Sequence, residues 1–327
     1  MQSNSKGEVI LKVLIVGGAG YIGGALTDIL LKSKHEILVY DTLLYEESYL
    51  KEVPFVFGDI RNKKHLKEHL EWADTVVWLA ALVGDGACAI NPEISTELNQ
   101  DMVKWLSENF DGRIIFMSTC SVYGEHDMVL DEEAPTNPLS VYATTKLAAE
   151  EYLKDKNAII FRLGTIFGLG DSYARIRLDL VLNTLTTRAI IDGSFKVFGG
   201  EQWRPLLHVR DAAQAVADNI ITDHTGIYNL HYENVKIIDL AHEVKKIIPS
   251  VKIETVDIKF QDARNYKANS DKARSTFGFS PKYTAEDGIM EVKKLIEEHR
   301  IKDVNNPRYS NQSFLTMFNT HRLDDKE

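Results

Sequence analysis

The run Gly17-Gly18-Ala19-Gly20-Tyr21-Ile22-Gly23 constrains this chain more than any other segment. It follows an apolar stretch, Val9–Val16, and precedes an amphipathic one, Gly24–Leu31. That order spells strand, tight turn, helix. Glycines in such a turn let the backbone approach an anion closely, and the helix N-terminus adds N–H donors and a positive dipole end. They fit a G-x-G-x-x-G spacing from Gly18 and a G-x-x-G-x-x-G spacing from Gly17. A glycine motif alone is weak, but here Asp41 ends the next apolar strand, 18 residues beyond Gly23. A carboxylate there accepts both hydroxyls of an adenosine ribose and repels a 2′-phosphate. No Arg follows Asp41, so the expected cofactor is NAD rather than NADP.

The first half alternates short apolar strands with helical patterns. Strands are expected at Val9–Val16, Ile37–Tyr40, Val53–Phe57, Thr75–Leu79, Arg113–Ser118 and Ala158–Arg162. Helices are expected at Gly24–Leu31, Lys63–Glu71, Ile94–Asn109 and Val141–Lys154. This alternation predicts an α/β fold, a Rossmann-type doubly wound parallel sheet with a smaller α/β substrate-binding C-terminal domain. The second half is less regular. It reads as a helix at Asp179–Ile191, strands at Lys196–Phe198 and Tyr228–Leu230, and helices at Asp211–Ile220, Ile238–Ile247 and Ala285–Arg300. The expected division is a dinucleotide-binding unit over 8–170, with 205–230 partly returning to it, a substrate-binding unit over 171–302, and a peripheral tail or interface strap over 303–327.

Charge and cysteine usage narrow the function. A net charge of −10 argues against a nucleic-acid partner, which needs a basic face. The two cysteines, Cys88 and Cys120, are too few for a disulfide framework and form no metal-ligand pair. No apolar run reaches membrane-spanning length, and the short polar N-terminus is read as lacking a signal peptide. The expectation is a cytoplasmic protein without membrane, nucleic-acid or metal partners.

Tyr142 and Lys146 stand four residues apart in a predicted helix and so share one face. A phenol is a poor base at neutral pH, but a nearby ammonium group favours the phenolate. Lys146 is therefore expected to lower the Tyr142 pKa and to hold a ribose hydroxyl. Tyr142 would then take a proton from a substrate hydroxyl while the adjacent carbon yields hydride to NAD. Thr119, at the end of an apolar strand, is expected to hydrogen-bond the reacting oxygen. Ligands of doubly wound sheets gather at such strand ends.

These segments together resemble the extended short-chain dehydrogenase/reductase family, in its sugar-nucleotide epimerase/dehydratase branch. The motifs that carry the resemblance are Gly17-x-x-Gly20-x-x-Gly23, Gly58-Asp59-Ile60-Arg61, Leu79-Ala80-Ala81, Ser118-Thr119-x-x-Val122-Tyr123-Gly124, Tyr142-x-x-x-Lys146, Phe161-Arg162-Leu163-Gly164 and the segment from Arg204 to Asp211. The resemblance implies that Gly17, Gly20, Tyr21, Ile22, Gly23, Asp41, Asp59, Ile60, Leu79, Ala80 and Ala81 line the NAD site with Tyr142 and Lys146. It implies that Asn99 supports the fold near the cofactor. It places Val83, Gly84, Thr119, Cys120, Ser121, Arg177, Arg204 and Arg264 around a nucleotide-diphosphate sugar, with Arg204 and Arg264 on its diphosphate. It also implies a homodimer built on Ile94–Asn109 and Val141–Lys154, with Met102, Val103, Leu106, Leu147 and Ala148 as candidate contacts.

The chain departs from the family's dehydratases where they carry Asp-Glu after the Thr. Here those positions are Cys120 and Ser121, which cannot serve as a general acid–base pair. The resemblance is closer to UDP-glucose 4-epimerases. Leu82-Val-Gly-Asp-Gly-Ala-Cys88 and Arg175-x-Arg177-Leu-Asp-Leu-Val181 also resemble a subgroup with GDP-heptose 4-dehydrogenases of capsule pathways. The first expectation is therefore a sugar-nucleotide 4-epimerase. The alternatives are a 4-dehydrogenase or 4-ketoreductase, then a 4,6-dehydratase or a non-catalytic NAD-binding scaffold.

Overall fold

The computed structural model describes residues 2–3, 9–170, 173, 175–256 and 264–318. At its centre lies a seven-stranded sheet whose paired strands all run parallel. In chain order its strands are β1 (Lys12–Val16), β2 (Glu36–Asp41), β3 (Phe55–Phe57), β4 (Thr75–Trp78), β5 (Arg113–Thr119), β6 (Ala158–Leu163) and β7 (Gly226–Leu230). Across the sheet they lie 3-2-1-4-5-6-7. The order reverses between β1 and β4, and the crevice beyond the carboxyl ends of these two strands is where such sheets take their ligand.

The inner strands are apolar on both faces because helices cover both. In β1, Val13 and Ile15 enter one core and Leu14 and Val16 the other. The first core is closed by α1 (Tyr21–Leu30) and by the helix Val209–Asp218, through Ala25, Leu26, Ala212 and Val216. The second is closed by α2 (Lys63–Leu70), by the helical run 92–109 (α4), and by α5 (Val141–Leu153). A short helix, α3 (Asp85–Ile90), precedes α4. Met102, Val103 and Leu106, whose apolar character fits a dimer face and a monomer core equally, lie in this second core. Within α4, residues Glu97–Asp101 form a π turn that buries Asn99.

The second lobe packs α6 (Val181–Ile191) against two further helices, Ile237–Ile247 and Ala285–Glu297, around Leu182, Leu185, Leu240, Val244 and Ile289. Small sheets complete it. Thr165–Phe167, Trp203–His208 and Glu233–Lys236 form one, and Ser194–Phe198 pairs in parallel with Lys252–Val256. Several of these strands were not expected, nor was Glu125–Leu130, which pairs with Asn265–Ala268. Glu125–Leu130, Glu233–Lys236 and Lys252–Val256 are short and mostly exposed or half-buried, so they lack the apolar run that marks a buried strand. Helix α1 begins at Tyr21 rather than Gly24. Gly23 lies inside it because a Cβ there would come within 2.4 Å of the Gly18 carbonyl oxygen. The expected tail is not peripheral over its described part. Its helix Asn311–Phe318 buries Phe314 and Leu315 in the second core.

One buried ion pair joins the layers. Arg162 on β6 donates to both carboxylate oxygens of Glu150 on α5, at 2.7 Å from Nη2 and at 3.0 and 3.2 Å from Nε. Ser118 on β5 donates to the same carboxylate. The Arg162 Nη1 donates to the Tyr123 hydroxyl at 3.0 Å, and that hydroxyl donates toward Asn229 on β7 at 2.9 Å. Both charged side chains are nearly inaccessible, at 4% and 2% exposure. Removing one partner strands the other charge in the core. Glu150→Ala is expected to lower stability by about 3–5 kcal/mol, and urea denaturation checks it. A loss below about 1 kcal/mol, the range of exposed pairs, would show that the pair does not tie the helix to the sheet.

Candidate active site

A cavity of about 330 Å³ opens over the carboxyl ends of the strands and runs from Asp41 to Thr119. The glycine turn forms its floor. Gly17 has φ +83°, and a Cβ there would lie 2.4 Å from the Ala80 backbone nitrogen, so only glycine lets β1 and β4 come this close. Gly20 stands at the N-cap of α1 with no side chain capping the helix. The helix therefore presents its N-terminal N–H groups and positive dipole end to the cavity. Asp41 accepts the Ala19 N–H at 3.0 Å and the Leu43 N–H at 2.7 Å, which fixes the loop after β2. Burial raises the Asp41 pKa, and these backbone donors and Arg175 oppose that. Gly20, Tyr21, Ile22, Asp59, Ile60, Leu79, Ala80 and Ala81 line the same cavity. An uncapped helix start, a glycine-permitted approach and a carboxylate at the next strand end together fit a dinucleotide.

At the other end, Thr119 terminates β5. Its hydroxyl oxygen accepts the Ser121 N–H at 3.1 Å, leaving the hydroxyl proton free to donate. The Thr119 hydroxyl is near enough to the Tyr142 phenol to favour its ionised form. Tyr142 is on the first turn of α5, whose N-cap Ser140 accepts the Ala143 N–H at 3.1 Å. Ser140 in turn donates to Asp85 at 2.7 Å, and Asp85 pairs with Arg264 at 3.1 Å. Enclosure pushes the phenol pKa above its ordinary value, Cys88 and Asp85 push the same way, and Arg177 and Thr119 oppose them.

Lys146 lies one turn along α5. It donates to the Met117 carbonyl oxygen at 2.8 Å and sits 4.6 Å from the centre of the Phe116 ring. Burial lowers its pKa to about 8, against the ordinary 10.5. The expectation that Lys146 depresses the Tyr142 pKa is therefore corrected for the protein alone. Burial dominates both groups, raising the phenol and lowering the amine.

Most of the expected substrate residues gather here. Val83, Gly84, Ser121, Arg177 and Arg264 line the cavity, and the Ser121 hydroxyl meets the Tyr266 hydroxyl at 3.2 Å. Two do not line it. Cys120 is turned into a separate core with Val122 and Tyr123, its thiol donating to the Arg162 carbonyl at 3.2 Å. Arg204 is buried and donates from Nη1 to the Trp203 and Arg264 carbonyls at 2.8 and 2.6 Å. It braces the Arg264 backbone rather than reaching the cavity. Asn99 grips Leu82 by both backbone groups, each at 2.8 Å, and so sets the loop that follows β4.

Sequence reading missed Tyr45, Glu46, Arg175, Tyr266 and Asn311, all of which line the cavity. They lie outside the glycine and Tyr–Lys motifs. Arg175 had been noted only as part of a segment, and Asn311 only as tail.

The Lys146 shift makes a pH-dependent prediction. The unfolded chain keeps the ordinary lysine value, so between about 8 and 10.5 it holds the extra proton, and wild-type stability rises with pH across that window. Lys146→Met removes the buried charge. Without added nucleotide it is expected to stabilise the protein by roughly 1–3 kcal/mol at pH 7, with the gain shrinking toward pH 10. Urea denaturation at the two pH values checks this. A variant less stable than wild type at pH 7 would mean that the Met117 bond outweighs the cost of burial.

Comparison with known proteins agrees with this geometry. The family model described as "NAD dependent epimerase/dehydratase family" matches residues 13–230. The chain is 26% identical over 319 residues to a UDP-glucose 4-epimerase of Halalkalibacterium halodurans, covering 86% of this chain and 94% of that protein. It is 25% identical to a CDP-paratose 2-epimerase of Salmonella typhi, covering 86% and 98%. The structure of a UDP-glucuronic acid 4-epimerase from Bacillus cereus, in complex with UDP-glucuronic acid and NAD, superposes with a TM-score of 0.77 at 25% identity, covering 88% and 99%. The chain is thus an enzyme of the NAD-dependent epimerase/dehydratase family, with NAD as its cofactor.

Proposed function

We propose that this enzyme is a 4-epimerase of a nucleotide-diphosphate sugar. The observation that carries the reading is Thr119 close to Tyr142 beside buried Lys146, with Cys120 and Ser121 rather than a carboxylate pair following Thr119. Among the described residues that line the cavity, the carboxylates are Asp41, Glu46 and Asp59, all toward the glycine turn. Asp59 is already paired with Arg61 at 2.6 Å. Elimination of water needs an acid and a base at the sugar, whereas oxidation and reduction at C4 need only a proton acceptor and a hydride acceptor.

Bound NAD supplies the hydride acceptor and a cationic ring that favours the phenolate. Thr119 positions the sugar 4-hydroxyl. Tyr142 takes its proton as the C4 hydrogen leaves as hydride, which gives a 4-keto sugar. After the sugar turns over in the cavity, hydride returns to the opposite face and Tyr142 returns the proton, so no net oxidation occurs. Lys146 keeps positive charge beside the phenolate. Arg264, at the cavity wall beside Asp85, is assigned to the sugar-nucleotide diphosphate, for which a planar guanidinium fork is suited. Arg177 is held by Asp179 at 2.9 and 3.1 Å and serves the same charged groups. A dimer through α4 and α5 would use the outward faces of these helices, and a monomer mass by light scattering would overturn it. The two buried free thiols suit a reducing cytoplasm.

Incubation with a panel of UDP-, GDP-, CDP- and dTDP-sugars, read by mass and sugar NMR, tests the reaction. The expected product has unchanged mass and inverted C4. A product two hydrogens lighter would make the enzyme a 4-dehydrogenase, and loss of water would make it a dehydratase. Tyr142→Phe is expected to reduce turnover by roughly 10²–10⁴-fold while leaving NAD binding intact. Retained turnover would sink this mechanism.

A further inference from the structure

Arg175 is 4% exposed and lines the cavity, yet no carboxylate hydrogen-bonds it among the described residues. Its Nη2 donates to the Asn311 side-chain oxygen, and its guanidinium lies 3.3 Å from the centre of the Tyr45 ring. Its Nη1 is buried with no hydrogen-bond partner among the described residues, and so is the Tyr45 hydroxyl. Two stacked side chains thus bring two unsatisfied donors to one cavity. A buried donor without an acceptor is costly, and a buried guanidinium without an anion more so.

The neighbours say what is missing. Arg175 acts electrostatically on Asp41, the carboxylate at the end of β2, and on Arg177. Arg177 acts on Tyr21, in the first turn of α1. Arg175 therefore shares the cavity with the carboxylate suited to a ribose, close enough to interact with it, and with Gly20 at the start of α1. Asp41 does not hydrogen-bond it; the Asp41 oxygens receive the Ala19 and Leu43 N–H groups. An acceptor-rich anion next to a ribose is a nucleotide phosphate.

We propose that Arg175 and Tyr45 form a second clamp on NAD, donating from Arg175 Nη1 and the Tyr45 hydroxyl to the phosphate on its adenosine side, opposite the α1 N-terminus. Asn311 and the Tyr45 ring hold the guanidinium in place, so Arg175, Tyr45 and the start of the C-terminal helix take part in cofactor binding. The inference rests on the NAD-binding cavity and not on which sugar is turned over.

The test is titration calorimetry of the full chain, freed of nucleotide, with NAD, AMP, adenosine and UDP. Arg175→Met keeps most of the stacked volume and removes the charge. It is expected to weaken NAD and AMP at least tenfold and to leave adenosine and UDP unchanged. The melting temperature of the nucleotide-free variant should not fall, because the removed charge hydrogen-bonds no carboxylate, while the upward shift caused by NAD should shrink. Tyr45→Phe, which removes only the hydroxyl, should weaken AMP by a smaller factor in the same ligand order. Wild-type affinity for NAD and AMP in both variants overturns the proposal. A loss confined to UDP overturns it too, by moving the contact to the sugar nucleotide. Equal weakening of adenosine and AMP, with a lower melting temperature, would make Arg175 a purely structural residue.

Discussion

The ion pair between Glu150 and Arg162 is the contact on which the active site depends. Tyr142 and Lys146 ride on α5, while Thr119 ends β5 and the floor of the cavity is built by β1 and β4. A helix lying on a sheet through apolar contacts alone can slide, because dispersion and burial have no direction. The Glu150 carboxylate removes that freedom. It receives Arg162 from β6 and Ser118 from β5, so the helix is registered against the strand whose next residue is Thr119. The Tyr123 hydroxyl carries the network on to Asn229 on β7. Holding Tyr142 and Lys146 opposite Thr119 needs α5 to be fixed in position along the sheet, and a buried, fully satisfied pair supplies that in a way a hydrophobic face cannot.

The cavity also holds more buried positive charge than its own carboxylates hydrogen-bond. Lys146 rests on a carbonyl and an aromatic face, and Arg175 on an amide and an aromatic face. Burial lowers both pKa values, to about 8 and about 10. A chain with net charge −10 has no shortage of carboxylates with which to neutralise them. Leaving these cations on neutral partners keeps their field available to a ligand, and a dinucleotide brings the matching anion in its diphosphate. The protein alone bears the cost of burial, and under the clamp proposed above NAD would relieve it on binding. Cofactor affinity and folding stability are in this sense drawn from the same groups.

The parts of this organisation that were legible in the sequence share one property: they are local. The glycine turn, the Asp41 strand end and the Tyr142–Lys146 spacing are set by a few adjacent residues, and backbone sterics or helix period suffice to read them. The seven-stranded core was legible because strands buried on both faces must be continuously apolar. Arg175, Tyr45 and Asn311 were not legible as a group, since they come from three distant segments and meet only through the packing of the tail. Cys120 and Arg204 were placed at the substrate because they adjoin motif residues. Next to Thr119, however, the chain turns into a 3-10 helix over Cys120–Tyr123 that sends the thiol to the core. Arg204 sits in a strand whose partners, Glu233–Lys236 among them, were too polar to be recognised.

The C-terminal segment ties these points to the reaction. Arg308 pairs with Glu46, Asn311 donates to the Val83 carbonyl at 2.8 Å, and its backbone N–H goes to Asp179 at 2.8 Å. Phe314 packs on Tyr45 with ring centres 5.0 Å apart. The segment thus contacts the loop after β2, the loop after β4 and the start of α6 at once, and so straps down three walls of the cofactor cavity. An enzyme that oxidises its sugar and then reduces the same molecule gains nothing from exchanging its dinucleotide between the two half-reactions. A net dehydrogenase must exchange it every turnover. A strap built from an ion pair, an amide clamp and an aromatic stack resists that exchange, which is what the proposed epimerase reaction requires and a net dehydrogenase does not.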